Sequence, residues 1–400
     1  MNEGGPGKTQ NSVLLVAASD SMCCARTPSL LARAGWRVTV MAPPTSLALA
    51  SRFVAHRVPV PAGGDSVLRR LRALHKGGTT PFNWIVLGDE DIVAAVAARL
   101  DEPWAAACFP VPAGTDAAQI ISHKTSFIEA CRRAGIPVPL SRVCERADEA
   151  LPAAGGIGFP LLLKADFGAS GTTVWRVNSR SELIAHLPSA AGRPFTLQTL
   201  LAGEAGVTEM LCDRGRPLAI VSSLMRGIDP VPFGPASSRL YRRTEQAEKI
   251  AVRLAALTGF HGFCGFDWIQ SEGADGPVRA IEFHARPTLG FHMAHHGGVD
   301  FTLAARRLLE GHDDAPLLQP PDRQASCLLF PKDFTRTLRQ RDVRGLLRWI
   351  PGLAFNDLPW NDPSLAWGLV QRLARQRLGR GRSREFAASA LGSTSVLTGY

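Results

Sequence analysis

No stretch of the 400-residue chain approaches the roughly 18 to 20 uninterrupted apolar positions that a membrane-spanning helix needs. The opening MNEGGPGKTQ carries an acid and no apolar core behind a basic start, so a soluble, unexported, cytoplasmic protein is expected. None of the eight cysteines forms a C-x-x-C pair, and no Cys/His spacing suits zinc, which points to free thiols in a reducing compartment. No defensible Ser-His-Asp or Cys-His arrangement is present, so chemistry through a covalent side-chain nucleophile is not expected. With 45% hydrophobic and 20% charged residues, the composition excludes global disorder, collagen and coiled coil. A nucleic-acid partner is not expected, because aromatic platforms and a recognised binding module are both missing.

The chain does hold alternating strand and helix patterns. Positions 11–18 (NSVLLVAA) and 36–41 read as strands around a helix ending at Gly35, and 83–87 (NWIVL) reads as another buried strand before a helical pattern over 92–100. Residues 1–112 therefore predict a small doubly wound α/β domain. A helix over 123–134, stopped by Gly135, opens a second unit that runs to about 312. In it, 159–166 (FPLLLKAD) is an apolar strand broken only by Lys164, and 207–212 with 218–223 form a hairpin. A helix over 244–258 is followed by strands at 263–269 and 278–283. Residues 313–400 form a basic, partly helical extension: twelve Lys and Arg against five Asp and Glu lie between 331 and 385, out of a net charge of +10 for the whole chain.

One glycine motif is a false lead. Gly4-Gly5-Pro6-Gly7-Lys8-Thr9 has the end of a phosphate-binding P-loop, but Asn2 stands where the first glycine belongs and the motif precedes the first strand. A stronger signal is Lys164 followed by the small-residue loop containing Gly168, Ser170, Gly171 and Thr172. Such a loop lets backbone N–H groups approach phosphate oxygens, and the lysine supplies a compact cation beside them. Alternation along the second late strand puts Glu282, His284 and Arg286 on one face, where Asp267 from the neighbouring strand can join them. Clustered carboxylates make a hard-oxygen site for Mg2+. A salt-bridged sheet face is the simpler reading of the same residues.

Taken in order, these segments resemble the ATP-grasp superfamily, the fold of carboxylate-amine ligases, biotin carboxylase and the carbamoyl phosphate synthase large chain. The resemblance rests on His123-Lys124 and Gly135-Ile-Pro-Val-Pro139, on Lys164 with Gly168 to Gly171, on the stretch from Gln198 to Glu204, and on Gly262 to Asp267 followed by Ile281 to Pro287. It implies an N-terminal pre-grasp domain, a lid over about 140–200 and a metal-bearing half to about 310. It also implies that Lys124 and Lys164 contact nucleotide phosphates while the Gly168–Thr172 loop closes over them. Gln198, Leu200 and Leu201 would read the adenine edge, and Glu204 would meet the ribose. Asp267, Glu282 and His284 would hold Mg2+, and Arg286 would face the γ-phosphate or acyl phosphate. His284 stands where the family usually has Asn, and imidazole prefers softer ions, so Mn2+ enters as an alternative metal.

The implied activity is an ATP- and Mg2+-dependent ligase that joins a small carboxylic acid to an amine; the alternative is an impaired ATP-binding regulatory or scaffold protein. Arg226, Arg239, Arg242 and Arg243 flank the Pro/Gly-rich stretch 227–238 and could bind an anionic substrate, with Arg226 the first choice as a catalytic contact. His292, His295 and His296 read as structural histidines. The arginine-rich helix around Trp367 either packs on the body through Leu365, Leu369 and Leu373 or meets an anionic membrane or acidic partner. A homo-oligomer is left open.

Overall fold

The computed structural model describes residues 11–75, 80–166, 171–190, 192–229, 233–271, 273, 276–350 and 357–375. The first apolar runs form a parallel sheet of β1 (Ser12–Val16), β2 (Arg37–Ala42), β3 (His56–Pro59) and β4 (Trp84–Leu87), in the order β3-β2-β1-β4. All five residues of β1 are buried. That matches its unbroken hydrophobic run, since a strand of a sheet covered on both faces needs no polar alternation.

A second, antiparallel sheet holds β5 (Ser141–Cys144), β6 (Leu161–Ala165), β7 (Val174–Val177) and β8 (Phe195–Thr199), in the order β5-β8-β6-β7. Its own small core, from Cys144, Leu161, Leu163, Val177, Phe195 and Leu197, is separate from the main one. This sheet occupies the stretch expected to form a lid.

The third sheet is the largest. It contains β9 (Glu204–Asp213), β10 (Arg216–Ile228), β11 (Ala236–Tyr241), β12 (Gly262–Gln270), β13 (Val278–His284), β14 (Leu317–Leu318) and β15 (Ala325–Leu328). The order is β13-β12-β9-β10-β11-β15, with β14 paired to β10. The last two strands come from residues beyond 312. The helix Glu245–Thr258 buries Ile250, Ala251 and Leu254 on this sheet and ends at Gly259, whose φ of 60° suits a left-handed cap. Trp84 of β4 stacks on Phe263 of β12 with ring centroids 5.5 Å apart, which joins the first sheet to the third.

The C-terminal helix over 363–375 packs on the body. Leu365 and Leu369 are fully buried against Ala25 and Leu47, Leu373 is half-buried, and Trp367 is 63% exposed. Among the described residues no helix is long and apolar enough to cross a membrane. The arginine-rich positions from 376 onward lie outside the described residues.

Candidate functional site

The site lies between the lid sheet and the large sheet. Strands β12 and β13 pair antiparallel with Asp267 opposite Glu282, so both carboxylates project on one face, and His284 follows Glu282 two residues later on that face. Across from them, β6 presents Lys164. Asp267, Glu282, His284, Arg286 and Lys164 line one cavity of about 660 Å³. The grouping expected from strand alternation is therefore present in three dimensions.

Lys164 is only 8% exposed, and among the described residues its ammonium makes no hydrogen bond or ion pair. Burial pulls its pKa down to about 8, with Lys124 adding to the fall, while the charges of Glu282 and Asp267 oppose it. A buried ammonium left this way is costly unless an anion joins it, and phosphate is such an anion. Lys124 approaches Glu282 from the other side, Nζ to Oε1 at 3.6 Å. It lines a smaller cavity of about 210 Å³ that shares Glu90, Glu282, His284 and Arg286 with the first.

His284 Nε2 is 3.0 Å from Asp267 Oδ1. Burial works to lower the imidazole pKa, but the Asp267 charge and hydrogen bond, aided by Glu282, raise it. Among the described residues no three His, Cys, Asp or Glu side chains are grouped as ligands of one ion. His284 is thus placed in direct contact with Asp267. Asp267 and Glu282 remain a pair of hard-oxygen donors, the protein share that Mg2+ takes when phosphates supply the rest.

Arg286 is held by Glu90, donates Nη1 to the Pro287 carbonyl at 2.9 Å, and has Cys23 Sγ 3.3 Å from the same nitrogen. Burial disfavours its charge, but the Cys23 and Glu90 sides raise its pKa further above the usual arginine range. Its Nε has no partner among the described residues.

Gln198, Leu200 and Leu201 line the large cavity, and Gln198 is fixed by donating Nε2 to Ser141 Oγ at 3.0 Å. Gly171 lines it as well. Its φ of +74° and its close approach to the Phe233 carbonyl leave no room for a β-carbon. Thr172 does not line the cavity, and Gly168 and Ser170 lie outside the described residues.

Arg226, the expected catalytic contact, pairs with Glu204, Nη2 to Oε1 at 2.6 Å, and neither residue is in the cavity lining. Arg242 reaches the same carboxylate, 3.7 Å from Oε2, and Arg243 pairs with Glu248. The arginine of this group that does enter the cavity wall is Arg239, two residues before the end of β11.

Sequence reasoning missed Cys23, Glu90 and Lys332, which reach the same cavity from the first sheet's loops and from the C-terminal region. No local motif marks them, because their role comes from packing between distant segments. His292 is structural as expected, with Nε2 2.6 Å from Asp357 Oδ1, and His295 contacts the His292 carbonyl at 3.1 Å.

No known family profile matches the chain. It is 27% identical over 164 residues to the carbamoyl phosphate synthase large chain of Deinococcus deserti, an alignment covering 38% of this chain. The chain spans only 16% of that relative's length. Among solved structures, it is similar to the biotin carboxylase domain of Hydrogenobacter thermophilus 2-oxoglutarate carboxylase in complex with MgADP, ADP and bicarbonate. That match has a TM-score of 0.60 and 18% identity, and covers 77% of this chain and 71% of the other. It is also similar to Staphylococcus aureus N5-carboxyaminoimidazole synthetase complexed with ADP, with a TM-score of 0.61, 12% identity and coverage of 80% and 83%.

Proposed function

The chain has the ATP-grasp fold, and on that premise we propose that it is an ATP- and Mg2+-dependent ligase that activates a carboxylate as an acyl phosphate for attack by an amine. The observation that carries this reading is Lys164, a buried ammonium without a partner among the described residues, facing the paired carboxylates Asp267 and Glu282 across one cavity. A cation and two acids set apart this way suit a polyphosphate and its metal.

When bound between Asp267 and Glu282, Mg2+ would neutralise charge on the phosphates. His284 holds the Asp267 carboxylate in place. Lys164, and Lys124 from beyond Glu282, would offset the negative charge that develops on the transferring group. Gln198, Leu200 and Leu201 would wall the base, and Gly171 would let the lid backbone come down on the phosphates. Arg286 would hold the reacting carboxylate and then the acyl phosphate. A carboxylate oxygen attacks the γ-phosphorus and ADP leaves; the amine then attacks the acyl carbon, phosphate leaves and the nitrogen loses a proton. The protein contributes position and charge.

The test is ADP release over pooled carboxylic acids and amines, with and without Mg2+. Acid-dependent release that disappears in Lys164→Ala and Glu282→Ala is expected. Saturable ATP binding without turnover for any pair would replace the ligase with an ATP-binding regulatory protein, and turnover surviving both changes would remove the site.

A further inference from the structure

Arg239 is 6% exposed and lines the cavity, yet its guanidinium makes no ion pair and its Nε and Nη1 find no hydrogen-bond acceptor among the described residues. The Thr288 hydroxyl donates to Oε1 of the buried Glu209, whose Oε2 has no partner among the described residues. Buried polar groups are nearly always paired, so an orphaned arginine in a cavity wall marks the place of a missing anion.

Lys332 lines the same cavity. Its Nζ donates only to the Pro235 carbonyl at 2.6 Å, and the nearby Asp229 is taken by Arg339. Burial lowers the Lys332 pKa to about 8, with Asp229 opposing the fall and the Arg239 charge adding to it. The helix that begins at Lys332 is pinned to the strand of Arg239: Ser237 Oγ donates to Asp333 Oδ1 at 2.8 Å, and Arg336 Nη2 is 2.9 Å from the same oxygen. On its other side, the Phe330 N–H donates to Asp357 Oδ2 at 2.6 Å. These contacts fix the helix of Lys332 against the strand of Arg239, both residues face one cavity, and neither is needed to bind the nucleotide in the reading above.

We propose that Arg239 and Lys332 form an anion subsite and that the substrate acid is dianionic, with its reacting carboxylate at Arg286 and a second carboxylate or phosphate between Arg239 and Lys332. This rests on the ligase reading and names its substrate class. Leu289, Leu329 and Phe330 line the same cavity. They give a short carbon chain an apolar wall between the two charged ends.

The experiment is calorimetric titration of glutarate, 3-phosphoglycerate and butyrate into the full chain without nucleotide, alongside a separate titration of MgATP. Wild type is expected to bind one of the dianions at least tenfold more tightly than butyrate. Arg239→Met and Lys332→Met should each weaken that binding at least tenfold while leaving MgATP affinity within twofold. Comparing glutarate with 3-phosphoglycerate decides between a second carboxylate and a phosphate. Equal binding of butyrate, no binding of either dianion, or dianion binding unchanged in Lys332→Met would overturn the subsite. The Lys332 change lies at a helix start and keeps the test valid if the Arg239 variant fails to fold. Loss of MgATP binding in wild type would count against the ligase reading alone.

Discussion

Asp357 Oδ1 lies 3.0 Å from Arg26 Nη2 across 331 residues of chain, and both side chains are almost fully buried. The same carboxylate takes the His292 ring and the Phe330 N–H. One acid thus ties the first domain and the third sheet to the segment that leads into Lys332.

Breaking that tie should cost about 3 to 5 kcal/mol, the usual effect of removing one partner of a buried ion pair. Burial pushes the Asp357 pKa up, but Arg26 and His292 outweigh it and hold the carboxyl below its ordinary value. A depressed folded pKa contributes stability above the unfolded value of about 3.9, and that stability is lost as pH falls through the folded value. Urea unfolding of wild type and Asp357→Asn should differ most at pH 6 to 7 and converge toward pH 3; a gap independent of pH would refute the assignment.

Lys164 should trade stability for function. Lys164→Met is expected to reduce ADP release about 10²- to 10³-fold, the scale for losing one fixed group that stabilises transition-state charge. The apo variant should melt no lower than wild type, because an unpaired buried ammonium is removed. Since the folded pKa of about 8 lies below the free value, the unfolded chain binds more protons between about pH 8 and 10.4, and wild-type stability should rise across that window. Thermal melts at pH 7.5 and 10 check this, with a smaller rise expected in Lys164→Met, where Lys332, also lowered to about 8, still contributes.

The orienting role of His284 separates it from the two acids. Asp267→Asn and Glu282→Gln should each raise the Mg2+ concentration for half-maximal ADP release by tenfold or more, whereas His284→Asn should shift it less than tenfold. Turnover that appears only in His284→Asn would instead identify a histidine-disabled ATP-binding protein.

Gly171→Ala places a methyl against the Phe233 carbonyl at a positive φ. The expected result is a rise of tenfold or more in the KM for ATP with a melting temperature within about two degrees of wild type, because the clash affects closure of the lid sheet more than its separate core. A large drop in melting temperature with unchanged KM would show that the contact is structural.

Much of the architecture was legible along the chain. The run NWIVL, the hairpin around Asp213-Arg214-Gly215 and the helix ending at Gly259 all carry local signals, because period, turn chemistry and caps act over a few residues. The same holds for Asp267, Glu282 and His284, where strand alternation and pairing bring side chains to one face. Strands such as β11 and β15 carry no comparable signal. They are short and are recruited by pairing with an existing sheet edge.

The sequence by itself determined the order of the elements and the face on which the two acids stand, since those follow from backbone periodicity. Only the tertiary structure decided where four similar arginines go: Arg226 pairs with Glu204, while Arg239 is buried in the cavity wall with Nε and Nη1 unpartnered among the described residues. It also decided that Cys23, Glu90 and Lys332 meet at one cavity. Pairing and burial depend on neighbours hundreds of residues away, and no local pattern encodes that distance.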